Sequence, residues 1–218
     1  MAIPKIIYQT FHSKQLPFVT RQFIKLLKWR NPSYRYEFYD DARIDEFFKN
    51  EYEQDVFDAY KRIDIGAVKA DFFRYALLYK YGGVYLDVDG YSIKNLDKMI
   101  KPIDTAILTY EGNPDFFAQY ALVFDKGHPF LKRTMEMAID NIRHNRHPHN
   151  GHKMTGPTVF TAAINECIAE NPNISYRIFG TDYEGYLNPR HPLRKQLYKK
   201  GEHWQEAQLA RPVLKPEV

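Results

Sequence analysis

A length of 218 residues with 44% hydrophobic content is sufficient for one substantial core and leaves little room for a second full domain. The net charge of +4, with a pI near 8.9, is too small an excess for a polybasic nucleic-acid track and suits a small anionic ligand better. The single cysteine, Cys167, excludes an internal disulfide, so packing must hold the fold together.

The chain carries no sequence signal for a membrane. Its apolar runs are only a few residues long, and the N-terminus MAIPKIIYQT lacks the charged and apolar regions of a signal peptide. We therefore expect a soluble, unprocessed chain in the cytoplasm, with neither a membrane span nor a nucleic-acid partner. The basic tail residues Arg190, Arg194, Lys195, Lys199 and Lys200 are interpreted as a solvated face.

Hydrophobic periodicity predicts alternating strands and helices in the first half of the chain. The predicted elements are a strand over 5–10, a helix over 19–30, a strand over 34–39, helical segments over 45–62 and a helix over 65–81. Asp40 or Asp41 is placed to cap the segment after the second strand, and Asp64 to cap the long helix. That helix is predicted to end at Gly82-Gly83, immediately before a strand over 84–88.

The second half continues the alternation. Strands are predicted over 106–110 and 119–124, and helices over 129–145 and 157–169. Cys167 lies on an apolar face of the last helix and is expected in the core. The stretch after Gly185 is rich in Pro, Arg, Lys and His and is expected to be irregular and to wrap over the body. Alternating strands and helices indicate an α/β protein with a largely parallel sheet.

Two carboxylates stand close together in YGGVYLDVDG, residues 81–90. Strand alternation places Tyr85, Asp87 and Asp89 on one face and apolar side chains on the other. Neighbouring carboxylates repel each other unless a cation or a proton lies between them, so the pair suits a divalent metal ion. In a parallel sheet the ligand crevice lies beyond the carboxyl ends of the strands, where these acids would be delivered. The alternative is an exposed turn that ends at Gly90.

The preceding helix carries a second charged pair. Asp71 and Arg74 are three positions apart and share one helix face, separate from an apolar stripe. The planar fork of an arginine suits a diphosphate or sugar hydroxyls, and Asp71 could accept hydrogen bonds from the hydroxyls of a sugar. The alternative is an ion pair on the helix surface that binds no ligand.

Four segments occur in the order found in the DXD-containing sugar-transferase family: IPKIIYQTF, NPSYRYEFYDD, AVKADFFRYALLYKYGGVYLDVDG and TGPTVFTAAI. The chain resembles this family, which includes the initiating α-1,6-mannosyltransferases of yeast, bacterial capsular polysaccharide transferases and, more distantly, the glucosylating domain of large clostridial toxins. It also resembles a short viral member. The resemblance covers roughly residues 3–165. It implies a GT-A fold, with a Rossmann-like, mainly parallel sheet flanked by helices, and a nucleotide-sugar donor.

The resemblance implies a donor-binding role for several matching residues. Tyr8 would stack on the donor base, with Thr10 beside the donor; the alternative for Tyr8 is a position in the core. Asp71 would bind hydroxyls of the donor sugar or ribose, and Arg74 would meet the diphosphate and the transferred sugar. Tyr85 would point its hydroxyl toward the same group.

The resemblance also implies the metal ligands. Asp89 would bind the metal directly and Asp87 would contact the ribose and the metal shell, so that both join Asp71 and Arg74 as catalytic residues. The metal would be Mn²⁺ or Mg²⁺, since oxygen ligands and phosphate suit these ions. In GEHWQEA, His203 could complete the metal shell and Trp204 could cover the diphosphate; the alternative for His203 is a solvated side chain.

Some positions depart from the family pattern. Family members often carry Trp where this chain has Phe11 and Tyr39, which makes the choice of donor less certain. Glu111 and Asn113, just after a predicted strand, are candidates for contacting the acceptor or the transferred sugar. The alternative for both is an ordinary turn.

The functional hypothesis is metal-dependent, retaining transfer of a hexosyl group from a nucleoside diphosphate sugar, UDP-linked by preference, to a carbohydrate acceptor in glycan synthesis. We expect a single domain over 1–218, with a nucleotide-sugar-binding half over about 1–100 and an acceptor half over about 101–218. A monomer could carry out this reaction. The alternatives are a nucleotide-sugar hydrolase and a non-catalytic carbohydrate-binding module.

Overall fold

The structure is a computed structural model that describes residues 2–197 and 204–216. The strands are β1 (Ile6–Thr10), β2 (Arg35–Tyr39), β3 (Gly83–Leu86), β4 (Tyr91–Ser92), β5 (Ala106–Thr109), β6 (Ala121–Phe124), β7 (Arg177–Phe179) and β8 (Leu187–Asn188). The α-helices are α1 (Phe18–Arg30), α2 (Asp41–Glu51), α3 (Gln54–Arg62), α4 (Gly66–Tyr81), α5 (Pro129–Arg143), α6 (Gly151–Met154), α7 (Pro157–Glu170) and α8 (Trp204–Ala210). Short 3₁₀ helices lie at Leu96–Lys98, Thr181–Gly185 and Arg194–Leu197.

Six strands form one sheet in the order β2-β1-β3-β6-β5-β7. β1 is parallel to β2 and β3, and β5 is parallel to β7. β6 is antiparallel to both of its neighbours, β3 and β5. β4 and β8 pair separately as a two-stranded antiparallel sheet. This arrangement confirms the predicted α/β class with a mainly parallel sheet.

Helices cover the sheet on both faces, and strand alternation divides the apolar side chains between two cores. In β3, Tyr85 belongs to the larger core, which includes apolar residues of α2–α5 and α7. Val84 and Leu86 belong to the smaller core, together with Leu27 of α1. Cys167 is buried in the larger core, as predicted. Within the described ranges, no helix combines the length and the apolar character that a bilayer crossing requires.

A side-chain cap explains where α2 begins but not where α4 begins. Asp40 caps α2 as predicted, because its side chain accepts a hydrogen bond from the backbone N–H of Arg43 at 3.0 Å. The prediction that Asp64 caps α4 is wrong, since Ile65 holds the cap position without a side-chain hydrogen bond. Asp64 instead forms a 2.7 Å ion pair with Arg211 in the C-terminal tail.

The expectation of an irregular chain after Gly185 is also wrong for the described residues. β8 pairs with β4, a 3₁₀ helix covers Arg194–Leu197, and α8 follows. Leu187, Ala207 and Val213 are each at most 2% exposed, so burial of apolar side chains orders the tail against the body. The sequence-based expectation followed the high content of proline and charged residues and overlooked the few apolar side chains that are buried.

Gly82 ends α4 in a backbone conformation that only glycine adopts readily, with φ +64° and ψ −176°. A Cβ atom there would lie 2.7 Å from the backbone N of Lys126. Replacing Gly82 with alanine is therefore expected to lower the free energy of unfolding in urea by about 1–3 kcal/mol. Gly112→Ala is the control, because Gly112 has no neighbouring atom within 4 Å and is expected to show little change. Equal stability of the two variants would contradict the strain.

Candidate active site

The carboxyl ends of β1, β3, β5 and β7 lie at one edge of the sheet, because these strands run in the same direction. Acidic residues follow three of them: Asp87 and Asp89 after β3, Glu111 after β5 and Asp182 after β7. β6 runs in the opposite direction, so Gln119, just before it, lies at the same edge. Ligand crevices of open α/β sheets lie outside the carboxyl ends of the strands, which makes this edge the candidate active site.

Arg74 of α4 is a buried cation at this edge, with a side chain that is 5% exposed. Its Nη2 lies 3.0 Å from Oδ1 of Asp87 and 3.3 Å from Oδ1 of Asp71. Its Nη1 donates a hydrogen bond to the carbonyl of Gln119, and its guanidinium lies 4.6 Å from the centroid of the Tyr85 ring. The structure therefore contradicts the alternative of a surface ion pair.

The acids of YLDVDG lie at the end of β3 and in the turn that follows it. Tyr85 Oη donates to Oδ1 of Asp87 at 3.1 Å, so these two side chains meet as strand alternation predicted. The strand ends two residues earlier than predicted, and the N–H of Gly90 donates to the carbonyl of Asp87 at 2.8 Å. Asp89 is partly exposed in this turn. The turn alternative is correct for the backbone, while the Asp87 carboxylate remains bonded to the buried guanidinium.

Burial raises the pKa of all three carboxyl groups that the sequence placed in the site. It raises the pKa of Asp71 to about 7, against the opposing attraction of Arg74. Burial and then the charge of Asp87 raise the pKa of Asp89 to about 7. Burial also raises the pKa of Asp87, although Arg74 and the Tyr85 hydroxyl oppose the shift. The folded site therefore loses stability as the pH rises from about 4 toward 7 and these groups ionise, and a divalent cation would offset the cost of their buried charge.

Asp87 and Asp89 offer the oxygen ligands that Mn²⁺ and Mg²⁺ prefer. Across residues 2–197 and 204–216, no three His, Cys, Asp or Glu side chains group as metal ligands. The two carboxylates therefore fit an ion whose remaining ligands are water and phosphate oxygens, a common arrangement for Mg²⁺. The predicted third ligand, His203, lies outside the described residues, and Trp204 is described only as the first residue of α8.

The structure contradicts a base-stacking role for Tyr8. Its ring is 2% exposed and packs in the larger core, 6.2 Å from the ring of Tyr39. Thr10 is also buried, and its hydroxyl donates to the carbonyl of Tyr39 at 2.8 Å. Alternation in β1 turns Tyr8 toward the helices, so the core alternative is correct. Phe11, the next aromatic residue after the strand, is partly exposed.

Gln9 is absent from the predicted site, yet it holds the main chain of Asp87. Gln9 is 1% exposed, and its Nε2 donates to the carbonyl of Asp87 at 2.9 Å. Tyr36 Oη donates to Oε1 of Gln9 at 3.0 Å, so both ends of the amide are engaged. A polar residue inside the apolar run KIIYQT was the sequence signal that could have found it.

The tail contributes charge to the same edge. The N–H of His191 donates to the carbonyl of Asp89 at 2.7 Å, and its ring Nε2 lies 3.2 Å from the hydroxyl of Thr20 in α1. The positive charges of Arg190 and Arg194 lower the pKa of Asp89 against the effect of burial. Arg190 is exposed and Arg194 is partly exposed, which agrees with the predicted solvated face, and their charges also act on an acid of the candidate site.

The two candidate acceptor residues differ. Glu111 is partly buried at the sheet edge, and burial raises the pKa of its carboxyl group. Asn113 is exposed, and its side chain accepts a hydrogen bond from the N–H of Asp115 at 3.1 Å. The turn alternative is therefore correct for Asn113.

Residues 17–105 match the family described as "Glycosyltransferase sugar-binding region containing DXD motif". The matched segment includes Asp71, Arg74, Asp87 and Asp89. This segment belongs to the DXD-containing glycosyltransferase family. This match confirms the predicted resemblance to the DXD-containing family over residues 17–105, which include the charged residues of the candidate site.

Curated relatives carry mannosyltransferase or glycosyltransferase names. "Inositol phosphoceramide mannosyltransferase 3" of Schizosaccharomyces pombe is 33% identical over 134 residues, which cover 62% of this chain and 36% of the relative. "Initiation-specific alpha-1,6-mannosyltransferase" of Candida albicans is 28% identical over 203 residues, which cover 75% and 52%. "Uncharacterized glycosyltransferase L373" of Acanthamoeba polyphaga mimivirus is 38% identical over 96 residues, which cover 43% and 38%. The chain thus spans from about a third to about half of the length of these relatives.

Solved structures share the fold over most of the chain. The PaToxG glycosyltransferase aligns with a TM-score of 0.67 and 19% identity, covering 99% of this chain and 82% of its own. The UDP-bound glycosyltransferase domain of the YGT toxin aligns with a TM-score of 0.62 and 10% identity, covering 91% and 82%. Similarity at these identities establishes the fold and confirms the predicted GT-A type.

Proposed function

We propose that the chain is a metal-dependent glycosyltransferase that moves a hexosyl group from a nucleoside diphosphate sugar to a hydroxyl of a carbohydrate acceptor. The observation that carries the proposal is the pairing of Asp87 with the buried Arg74, with Asp89 in the turn that follows, at the carboxyl edge of the sheet. Membership of residues 17–105 in the DXD glycosyltransferase family supports it, as do the mannosyltransferase names of the relatives.

A UDP-sugar is the proposed donor. One structural neighbour is described as UDP-bound, and the charges of this site suit a diphosphate. Arg74 supplies a fixed positive charge from α4. Arg190 and Arg194 supply positive charge from the C-terminal tail, near Asp89. An anion between these groups would lie among positive charges from both sides of the crevice.

Asp87 and Asp89 would hold Mn²⁺ or Mg²⁺, and the bound ion would supply positive charge that stabilises the departing diphosphate. Arg74 adds a second positive charge that its buried hydrogen bonds hold in place before any ligand arrives. Asp71 would accept hydrogen bonds from hydroxyls of the donor. Gln9 holds the main chain of Asp87 in position.

Retention of the anomeric configuration is the proposed outcome of the transfer. The acceptor hydroxyl would attack the sugar carbon from the face that the diphosphate leaves. The bond from carbon to the acceptor oxygen forms as the bond to the diphosphate oxygen breaks, and the acceptor proton passes to the diphosphate. Glu111, partly buried at the same edge, is the proposed contact for the acceptor or the transferred sugar.

Thermal unfolding with nucleotides tests donor binding. We expect UDP with Mn²⁺ at about a hundredfold excess over its Kd to raise the unfolding midpoint by about 5–10 °C, because a ligand that binds only the folded state stabilises it by mass action. A chelator should abolish the shift, and one UDP-sugar should exceed UDP. Stronger stabilisation by GDP would redirect the donor assignment to GDP-sugars. Absence of a shift with every nucleotide would contradict the proposal.

Product analysis separates transfer from its alternatives. With the stabilising nucleotide sugar and a panel of saccharide acceptors, we expect an elongated saccharide and free nucleoside diphosphate in equal amounts. Free sugar in the same yield with and without acceptors would favour the nucleotide-sugar hydrolase. Glycan binding that survives chelation and the loss of Asp89, without any turnover, would favour the carbohydrate-binding module.

A further inference from the structure

The outer face of α1, which we define as Phe18, Arg21, Lys25, Lys28 and Trp29, combines cations with exposed aromatic rings. Phe18 is 66% exposed and Trp29 is 77% exposed, and the three cations between them are also exposed. At 100° per residue these five side chains occupy about a quarter of the helix circumference. The opposite side carries Thr20 and Leu27, which are fully buried.

The charge of this face is uncompensated. The helix sequence FVTRQFIKLLKWR contains four cations and no acid. In the part of the chain that the structure describes, Arg21, Lys25 and Lys28 form no ion pair with a carboxylate. Arg21 instead lies 5.9 Å from the ring centroid of Phe18, and Lys28 lies 5.5 Å from that of Tyr36. A solvated helix face normally mixes both signs of charge and places few large aromatic rings in water.

We propose that the outer face of α1 binds the surface of an anionic lipid bilayer. Tryptophan and phenylalanine at the two ends of the stripe suit the interfacial region, where an aromatic ring leaves water. Lysine and arginine between them suit the phosphates of acidic head groups, each contributing to binding on its own. The helix would lie flat on the bilayer, with the rest of the domain above it.

The geometry disfavours two other occupants. Successive bases of a single-stranded nucleic acid stack on neighbouring rings, whereas Phe18 and Trp29 are separated by about 16 Å along the helix. A protein groove that receives a helix binds its apolar stripe, whereas Leu27 of α1 is already buried in the smaller core and Phe23 packs against the rings of Tyr91 and His191.

Docking through α1 would bring the bilayer close to the candidate site. The hydroxyl of Thr20 lies 3.2 Å from Nε2 of His191, whose N–H donates to the carbonyl of Asp89 at 2.7 Å. Two contacts therefore connect α1 with the turn that carries Asp87 and Asp89. The bilayer inference itself uses neither the donor nor the acceptor, so it stands or falls separately from the proposed transferase activity.

Vesicle sedimentation of the full chain tests the inference. We expect the protein to sediment with vesicles of phosphatidylcholine containing roughly 30% phosphatidylserine and not with phosphatidylcholine alone, and to be released by raising salt from about 0.1 M to 0.5 M. The double variant Lys25→Glu/Lys28→Glu should bind roughly tenfold more weakly or worse. The double variant Phe18→Ser/Trp29→Ser should also lose binding, because it removes both aromatic anchors.

Matched controls lie elsewhere on the surface. Ile103, which is 81% exposed, and the exposed Lys126 provide the variants Ile103→Ser and Lys126→Glu, which should bind like the unmodified protein. With Trp204→Phe, Trp29 becomes the single tryptophan, and its fluorescence should shift to the blue on adding the anionic vesicles. Equal loss of binding in control and α1 variants, binding that ignores phosphatidylserine, or tighter binding to an RNA oligonucleotide than to vesicles would overturn the inference.

Discussion

Replacing Asp89 with asparagine is expected to reduce the transfer rate at least about a hundredfold, because the variant loses a charged ligand for the ion that stabilises the diphosphate. The same change is expected to stabilise the metal-free protein above pH 7. In the folded chain the pKa of Asp89 is about 7, well above its value in the unfolded chain. The stability associated with the raised pKa is present below about pH 4 and is lost as the pH rises toward 7, and asparagine does not titrate.

Two measurements check this pair of effects. Transfer rates at saturating donor report the catalytic loss, and unfolding midpoints between pH 4 and pH 8, with Mn²⁺ or with chelator, report the stability. Asp115→Asn is the control, because Asp115 is an exposed acid on the loop after β5. An Asp89→Asn variant that keeps full activity would remove Asp89 from the metal site. A variant that is less stable than the unmodified protein at pH 8 without metal would contradict the raised pKa.

Replacing Arg74 with methionine is expected to lower the free energy of unfolding by about 3–5 kcal/mol, as well as to abolish transfer. The change leaves the carboxylates of Asp71 and Asp87 without their buried counter-ion and the carbonyl of Gln119 without its donor. The stability of Arg74→Lys should fall between that of the unmodified protein and that of Arg74→Met. An ammonium group keeps the charge but cannot reproduce the forked geometry of the guanidinium.

Urea unfolding at pH 7 with an unchanged m-value would measure this loss. Arg133→Met provides the control: Arg133 is paired with Glu166 at 2.6 Å, but its side chain is 40% exposed, so the pair contributes less than about 1 kcal/mol. If the two methionine variants were equally stable, Arg74 would have to be a surface residue in solution. Loss of transfer without loss of stability would assign Arg74 to ligand binding alone.

Local patterns were sufficient to predict the elements that build the site. Helical periodicity and the glycine pair located α4 and its end at Tyr81, and period-two alternation paired the side chains of Tyr85 and Asp87. The spacing of Asp71 and Arg74 predicted their shared face. These features depend on residues close together in the sequence, which is why they could be read from it.

Features that depend on distant residues were not predictable in the same way. Gln9 bonds to the main chain of Asp87, and His191 bonds to that of Asp89, through contacts that no local pattern encodes. The burial of Tyr8 depends on how α2 and α4 pack over β1, and Asp64 turns away from its helix because the tail supplies Arg211. Tertiary contacts decided each of these positions against the local preference.

The hydrogen bond between Gln9 and Asp87 joins residues 78 positions apart, along the seam where β1 pairs with β3. Closing so long a loop requires much of the chain's entropy to be lost before the contact forms, so parallel pairs of this kind assemble slowly. The turn that carries Asp87 and Asp89 is therefore expected to form late in refolding. If the transition state lacks this seam, metal ions should slow unfolding without accelerating folding, because they bind only after the transition state has been crossed.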